Sequence, residues 1–135
     1  MTSTSQKEKT KILVAEDEKD IRELVSITMR LAGYEVWTAN DGQEALTLAR
    51  EVLPDLILMD VRMPRMTGYE ACRVLKKEEP TQHIPIVFLS AKGQEAEIKQ
   101  GMELGAVDYI LKPFETGDLP KRMAEILREA TRRKK

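Results

Sequence analysis

Cysteine, histidine and tryptophan each occur once in these 135 residues, at Cys72, His83 and Trp37. A lone cysteine excludes both a disulfide framework and a thiolate metal site. The formal net charge is −1, so no global field draws the chain to nucleic acid or to an anionic membrane. No apolar run approaches the ~18 residues of a membrane span. The segment Met1–Thr10 lacks the apolar stretch of a signal peptide, and a reducing cytoplasm is the expected location. Hydrophobic residues make up 41% and charged residues 33%, the balance of an ordinary globular chain. The length suits one domain, with no repeat and no low-complexity tract. Residues 1–10 read as a flexible lead-in, 11–131 as the domain, and 132–135 as a basic tail.

Four short apolar runs each stop on a residue that can do chemistry. Ile12-Leu13-Val14-Ala15 runs into Glu16-Asp17, and Leu56-Ile57-Leu58-Met59 into Asp60. Ile86-Val87-Phe88-Leu89 runs into Ser90, and Tyr109-Ile110-Leu111 into Lys112. Such continuous runs predict strands buried on both faces of a parallel sheet. Helical spacing separates them. Ile21, Leu24, Val25, Met29 and Ala32 mark one helix, stopped at Gly33. Residues 34–38 suit a short edge strand. Asp41-Gly42-Gln43-Glu44 is a capping-box pattern for a helix with Ala45, Leu48, Ala49 and Val52 inward, ended by Pro54. A third helix turns Ala71, Cys72 and Leu75 inward, a short one spans about 95–103, and a last one runs from about 117 to 131 with Pro120 in its first turn. The alternation predicts an α/β doubly wound fold of five parallel strands with right-handed crossovers. Cys72, Trp37 and the seven methionines read as packing, and His83 as a surface loop residue.

In an open parallel sheet, ligands bind beyond the carboxyl ends of the strands. Glu16, Asp17, Asp60, Ser90 and Lys112 therefore meet at one rim. Three carboxylates so close cannot all stay ionised unpaired. A hard divalent cation resolves that conflict, and Mg²⁺ takes one or two carboxylates while leaving positions for other oxygens. A carboxylate can attack phosphorus, an ammonium can neutralise the incoming oxygens, and a hydroxyl can donate to them.

The motifs Ile12–Glu18, Asp41–Leu46, Leu56–Pro64 with Gly68, Val87–Ala91 and Gly105–Phe114 make the chain resemble the receiver domain of two-component response regulators. The likeness covers residues 11–131, and chemotaxis-type receivers that stand alone are the nearest analogy. The resemblance implies a flavodoxin-like fold with strand order 2-1-3-4-5. It implies Asp60 as phosphoacceptor, with Lys112 and Ser90 assisting the transfer. Asp17 and Asp60 would ligate Mg²⁺, Glu16 would hold it through water, and the backbone carbonyl of Arg62 would be a further ligand. Ser90 and Tyr109 would form a switch pair, with Tyr109 swinging from solvent into the core on phosphorylation. The Lys112-Pro113 bond would be cis.

A sensor histidine kinase or phosphotransfer protein is the implied donor, with an unidentified protein as target. No nucleic acid is expected to bind this domain. Asp108, Asp118 and Arg122 match part of a dimerising salt-bridge set, but Val107 replaces an acid, so a monomer or a weak phosphorylation-dependent dimer is expected. Ile21 and Leu24 are expected chiefly to pack in the core, with a kinase helix as the alternative neighbour. Two features set this chain apart. Glu16 stands where Asp is commoner, and Arg62 and Lys92 are both basic two residues beyond Asp60 and Ser90. These cations are expected to obstruct the approach of water and slow hydrolysis of the aspartyl phosphate. A haloacid-dehalogenase-type phosphatase would need a second acid where Arg62 stands. A flavodoxin-type flavin site would need a hydroxyl-rich first loop in place of Glu16-Asp17-Glu18. A chain of this length holds no separate output domain, so either direct binding of a target or origin in a longer regulator is expected.

Overall fold

A computed structural model describes residues 9–91, 95–112 and 117–133. The elements are β1 (Lys11–Ala15), α1 (Lys19–Leu31), β2 (Glu35–Ala39), α2 (Gly42–Val52), β3 (Leu56–Asp60), α3 (Gly68–Lys77), β4 (Ile86–Ala91), α4 (Glu95–Glu103), β5 (Asp108–Lys112) and α5 (Asp118–Arg133). All four strand pairings are parallel, in the order β2-β1-β3-β4-β5. The expected fold class and strand order are therefore observed.

Successive side chains of a strand point to opposite faces, and here both faces are covered by helices. Leu13, Ile57, Met59, Ile86 and Phe88 pack with Ala45, Ala49, Cys72 and Leu75 beneath α2 and α3. Ile12, Val14, Leu58, Val87 and Leu89 pack with Val25, Met29, Leu119 and Met123 beneath α1 and α5. The unbroken apolar runs Ile12–Ala15, Leu56–Met59 and Ile86–Leu89 of the central strands thus feed two cores at once. Burial raises the Cys72 thiol to about 11, and Sγ lies 3.8 Å from the Leu104 carbonyl, so this cysteine is an inert packing group.

Three packing expectations, at Leu24, Trp37 and Met102, are corrected. Leu24 is 47% exposed rather than buried, and Ala32 is exposed at the C-cap of α1. The helix carries two apolar stripes, and Val25 and Met29 turn inward while Leu24, Ile27 and Leu31 face out. Ser26 is buried in their stead, its hydroxyl donating to the Arg22 carbonyl at 2.7 Å. Trp37 is 39% exposed, because β2 is an edge strand with a neighbour on one side only; its indole N–H donates to Glu35 at 3.0 Å. Met102 is 41% exposed on α4. At α2, the Asp41 carboxylate accepts from the Glu44 amide at 2.8 Å as expected, but the Glu44 carboxylate accepts from the Asn40 amide rather than from that of Asp41.

Two glycines fix how the β3–α3 loop sits. A Cβ on Gly68 would lie 2.2 Å from the Asp60 carbonyl oxygen, and one on Gly42 would lie 2.1 Å from that of Met66. The Gly68 amide donates to the Val61 carbonyl at 2.8 Å and the Gly42 amide to that of Met66 at 3.1 Å. Backbone packed this closely has no room for a methyl group. Gly68→Ala is therefore expected to cost about 2–3 kcal/mol. Gly117→Ala, where a Cβ meets nothing within 4 Å, should stay within about 0.5 kcal/mol. Urea denaturation midpoints of the two variants check the contrast.

Candidate functional site

The parallel register carries four chemically active side chains to one rim. Ala15 is level with Met59, Asp60 with Leu89, and Ala91 with Lys112. Glu16, Asp60, Ser90 and Lys112 consequently leave the ends of adjacent strands, and Asp17 follows at the start of the β1–α1 turn. One carboxylate oxygen from each of Glu16, Asp17 and Asp60 lies within 4.8 Å of the others. The Lys112 ammonium sits between two of them, 3.2 Å from Asp60 Oδ1 and 3.3 Å from Glu16 Oε1.

Burial sets the electrostatics. Glu16 is fully buried and Asp60 nearly so, while Asp17 is exposed. Loss of water and the neighbouring charge of Asp60 push the Glu16 carboxyl up to about 7, against the pull of the Glu18 amide and Lys112. Burial likewise raises the Asp60 carboxyl, opposed by Lys112 and reinforced by Asp17. Burial pulls the Lys112 ammonium down, but Asp60 and Glu16 more than offset this and hold it above its ordinary value. One ammonium does not satisfy three carboxylates. The donor set is all oxygen, close and under-neutralised, which fits a hard divalent cation such as Mg²⁺.

The Ser90 hydroxyl completes the site. It is 2% exposed, and among the described residues Oγ has no hydrogen-bond partner. Buried hydroxyls are nearly always paired, so this one is able to donate to an acceptor brought to the rim. Tyr109, level with Phe88 on β5, is half-buried against the α2–α3 core. It occupies neither of the two extremes, solvent or core, that the switch expectation contrasts.

Of the remaining sequence-identified residues, Arg62 is exposed at the head of the β3–α3 loop. Lys92 and the Lys112-Pro113 bond lie outside the described residues. Arg122 Nη2 binds Asp108 at 2.7 Å and the Tyr109 carbonyl at 3.0 Å, so the pair matched to a dimer contact closes within the chain. A hollow of about 570 Å³ opens beside it, lined by Tyr109, Leu111, Asp118, Arg122 and Glu125.

Three contacts near the site escaped the sequence reading. Arg22 Nη1 donates to the carbonyls of Glu16 at 2.8 Å and Asp17 at 3.3 Å. Arg65, at φ 68°, pairs with Asp41 at 3.2 Å and ties the β3–α3 loop to α2. Thr67 and Glu70 form a reciprocal capping box that starts α3. Only the last carries a local signal, the Thr-x-x-Glu spacing. Bonds to backbone carbonyls leave no trace in residue type.

Residues 12–124 match the family model of the response regulator receiver domain. The chain is 44% identical over 117 residues to the phosphate regulon transcriptional regulatory protein PhoB of Pseudomonas aeruginosa, covering 87% of this chain and 51% of that protein. It is 38% identical over 122 residues to the DNA-binding dual master transcriptional regulator RpaA of a Synechocystis species, covering 90% and 51%. The chain spans about half the length of the curated relatives it matches. Among solved structures, the chemotaxis response regulator CheY4 of Vibrio cholerae superposes with a TM-score of 0.83 at 35% identity, covering 88% of this chain and 99% of that one. A receiver domain protein from Clostridium thermocellum gives 0.80 at 30%, covering 93% and 96%. No helix among the described residues is long and apolar enough to cross a membrane.

The raised carboxyls make stability depend on pH in a definite direction. An acid whose pKa is higher folded than unfolded contributes stability that is full below its unfolded value near 4.5 and lost as pH rises through about 7. Metal-free protein should therefore lose stability between about pH 4.5 and pH 7 through Glu16, with Asp60 acting in the same sense. Glu16→Gln should match the wild type at the acid end and exceed it by on the order of 1–3 kcal/mol at about pH 8. Urea titrations in chelator across this range test the point, and a gap between the two proteins that stays constant with pH would contradict it.

Proposed function

The chain belongs to the response regulator receiver family, and from that premise we propose that Asp60 accepts a phosphoryl group from a histidine kinase or phosphotransfer protein. Receivers of this family serve phosphorelay signalling and bind Mg²⁺ at an acidic cluster. The observation that carries the finer reading is the conjunction at one rim of buried Asp60, Lys112 at 3.2 Å, and the buried hydroxyl of Ser90, which has no partner among the described residues. Glu16, Asp17, Asp60 and the Arg62 carbonyl would hold the ion. Mg²⁺ bound there supplies charge neutralisation for in-line transfer.

The chain's own groups do the rest. An Asp60 carboxylate oxygen forms the bond to phosphorus as the phosphorus–nitrogen bond to the donor imidazole breaks, and the imidazole leaves with its electron pair and takes up a proton. The charge of Lys112 favours the ionised form of Asp60 against its burial and is positioned to balance that of the phosphoryl oxygens. Ser90 donates its hydroxyl to one of them and so gains the partner it lacks. Its inward movement opens space for half-buried Tyr109, and the β5–α5 face changes shape for the target protein. Arg62 flanks the phosphoryl group on the solvent side and slows the entry of water. The Arg122–Asp108 pair closed within the chain supports a monomer before phosphorylation. DNA contact, named for one relative of twice the length, is assigned here to segments other than this domain.

Incubation with acetyl phosphate or a phosphohistidine protein in Mg²⁺ should add one phosphoryl mass, labile to base. Asp60→Asn should add none, and Ser90→Ala should label at least about tenfold more slowly. Full labelling of the Asp60 variant would overturn the assignment.

A further inference from the structure

We propose that Arg22 is a positioning residue for the acidic cluster, its guanidinium holding the β1–α1 turn so that the Glu16 and Asp17 carboxylates converge on Asp60. The proposal rests on the reading of this cluster as a Mg²⁺ site. Arg22 lies early in α1, half-buried, and reaches back over the turn that precedes its own helix. A single nitrogen, Nη1, donates to the carbonyl oxygens of Glu16 at 2.8 Å and Asp17 at 3.3 Å. Each carbonyl belongs to a rigid peptide plane. The two planes flank the Asp17 Cα, so pinning both oxygens fixes the backbone dihedrals there and with them the direction of the Asp17 Cα–Cβ bond.

Asp17 needs such help more than its neighbours. Glu16 is fully buried, is bonded through Oε2 to the Glu18 amide at 3.1 Å, and is paired through Oε1 with Lys112. Asp60 ends a strand that is buried throughout. Asp17 is exposed and sits in the turn beyond the end of β1. Its carboxylate nevertheless lies within the 4.8 Å group. The α1 N-cap residue, Glu18, makes no side-chain capping bond, and the guanidinium takes over the task of stiffening the turn. Arginine suits this position because its planar cation carries several donors on a long stem and is more weakly hydrated than an ammonium.

Two physical roles for Arg22 predict opposite signs. As a nearby positive charge it repels a divalent cation, so its removal would strengthen Mg²⁺ binding. As a positioning group it holds the ligands together, so its removal weakens binding. We expect Arg22→Met to bind Mg²⁺ about tenfold more weakly by titration calorimetry, with Arg22→Lys falling between it and the wild type. Binding by Arg22→Met as tight as wild type, or tighter, would overturn the proposal. Should Arg22→Met fail to fold, Arg22→Lys decides alone, weaker binding supporting the role and wild-type affinity removing it. Amide hydrogen exchange in chelator gives a readout that needs no metal. The Glu18 amide, held by Glu16 Oε2, should exchange at least about threefold faster in the variants, and an unchanged rate would also overturn the proposal. Failure of the wild type to bind Mg²⁺ would instead remove the reading of the cluster, while the exchange data would still judge Arg22.

Discussion

Among the described residues, two buried carboxyls, one exposed carboxylate and a single ammonium share the end of a sheet whose interior is otherwise apolar. Burial raises the cost of every charge there, and Lys112 offsets only part of it. The metal-free site is therefore held away from electrostatic balance, and its easiest relief is added positive charge or bound protons. The rest of the architecture serves that tension. Strands apolar on both faces force all chemistry to the rim, and the parallel register steps that rim by at most one residue from each strand to the next across β1, β3, β4 and β5.

Around this unbalanced centre the backbone is unusually constrained. Gly68 lets α3 begin against the Asp60 carbonyl, and Gly42 brings α2 against that of Met66. Asp41 both caps α2 and holds Arg65. Arg22 pins the opposite turn. Ser90 and Tyr109 differ from these groups. One is buried with no hydroxyl partner among the described residues, and the other is only half-covered. A tightly packed backbone beneath the acids, with buried Ser90 and half-buried Tyr109 beside them, is the arrangement on which the proposed switch rests.

Much of this was legible before any coordinates. Burial on both faces writes itself as an unbroken apolar run, so Leu56–Met59 announced a central strand, and the polar residue ending each run announced the site. Helix phase was harder to read. Leu24 and Val25 are equally apolar, and only the rotation of α1 on the sheet decides that Val25 turns inward. Trp37 misled because large aromatics usually bury, whereas an edge strand leaves one flank open. Arg22 and Arg65 gave no signal, since their partners are backbone carbonyls in one case and an acid far along the chain in the other. Residue type records what a side chain can do, and only the fold records what it meets.

The direct measurement of the imbalance is the titration of the Glu16 carboxyl by carbon-13 NMR, in chelator and then in saturating Mg²⁺. The account predicts a midpoint of about 7 without metal and a clear fall from it once the cation is bound. A midpoint near 4.5, the ordinary glutamate value, in the metal-free protein would contradict it.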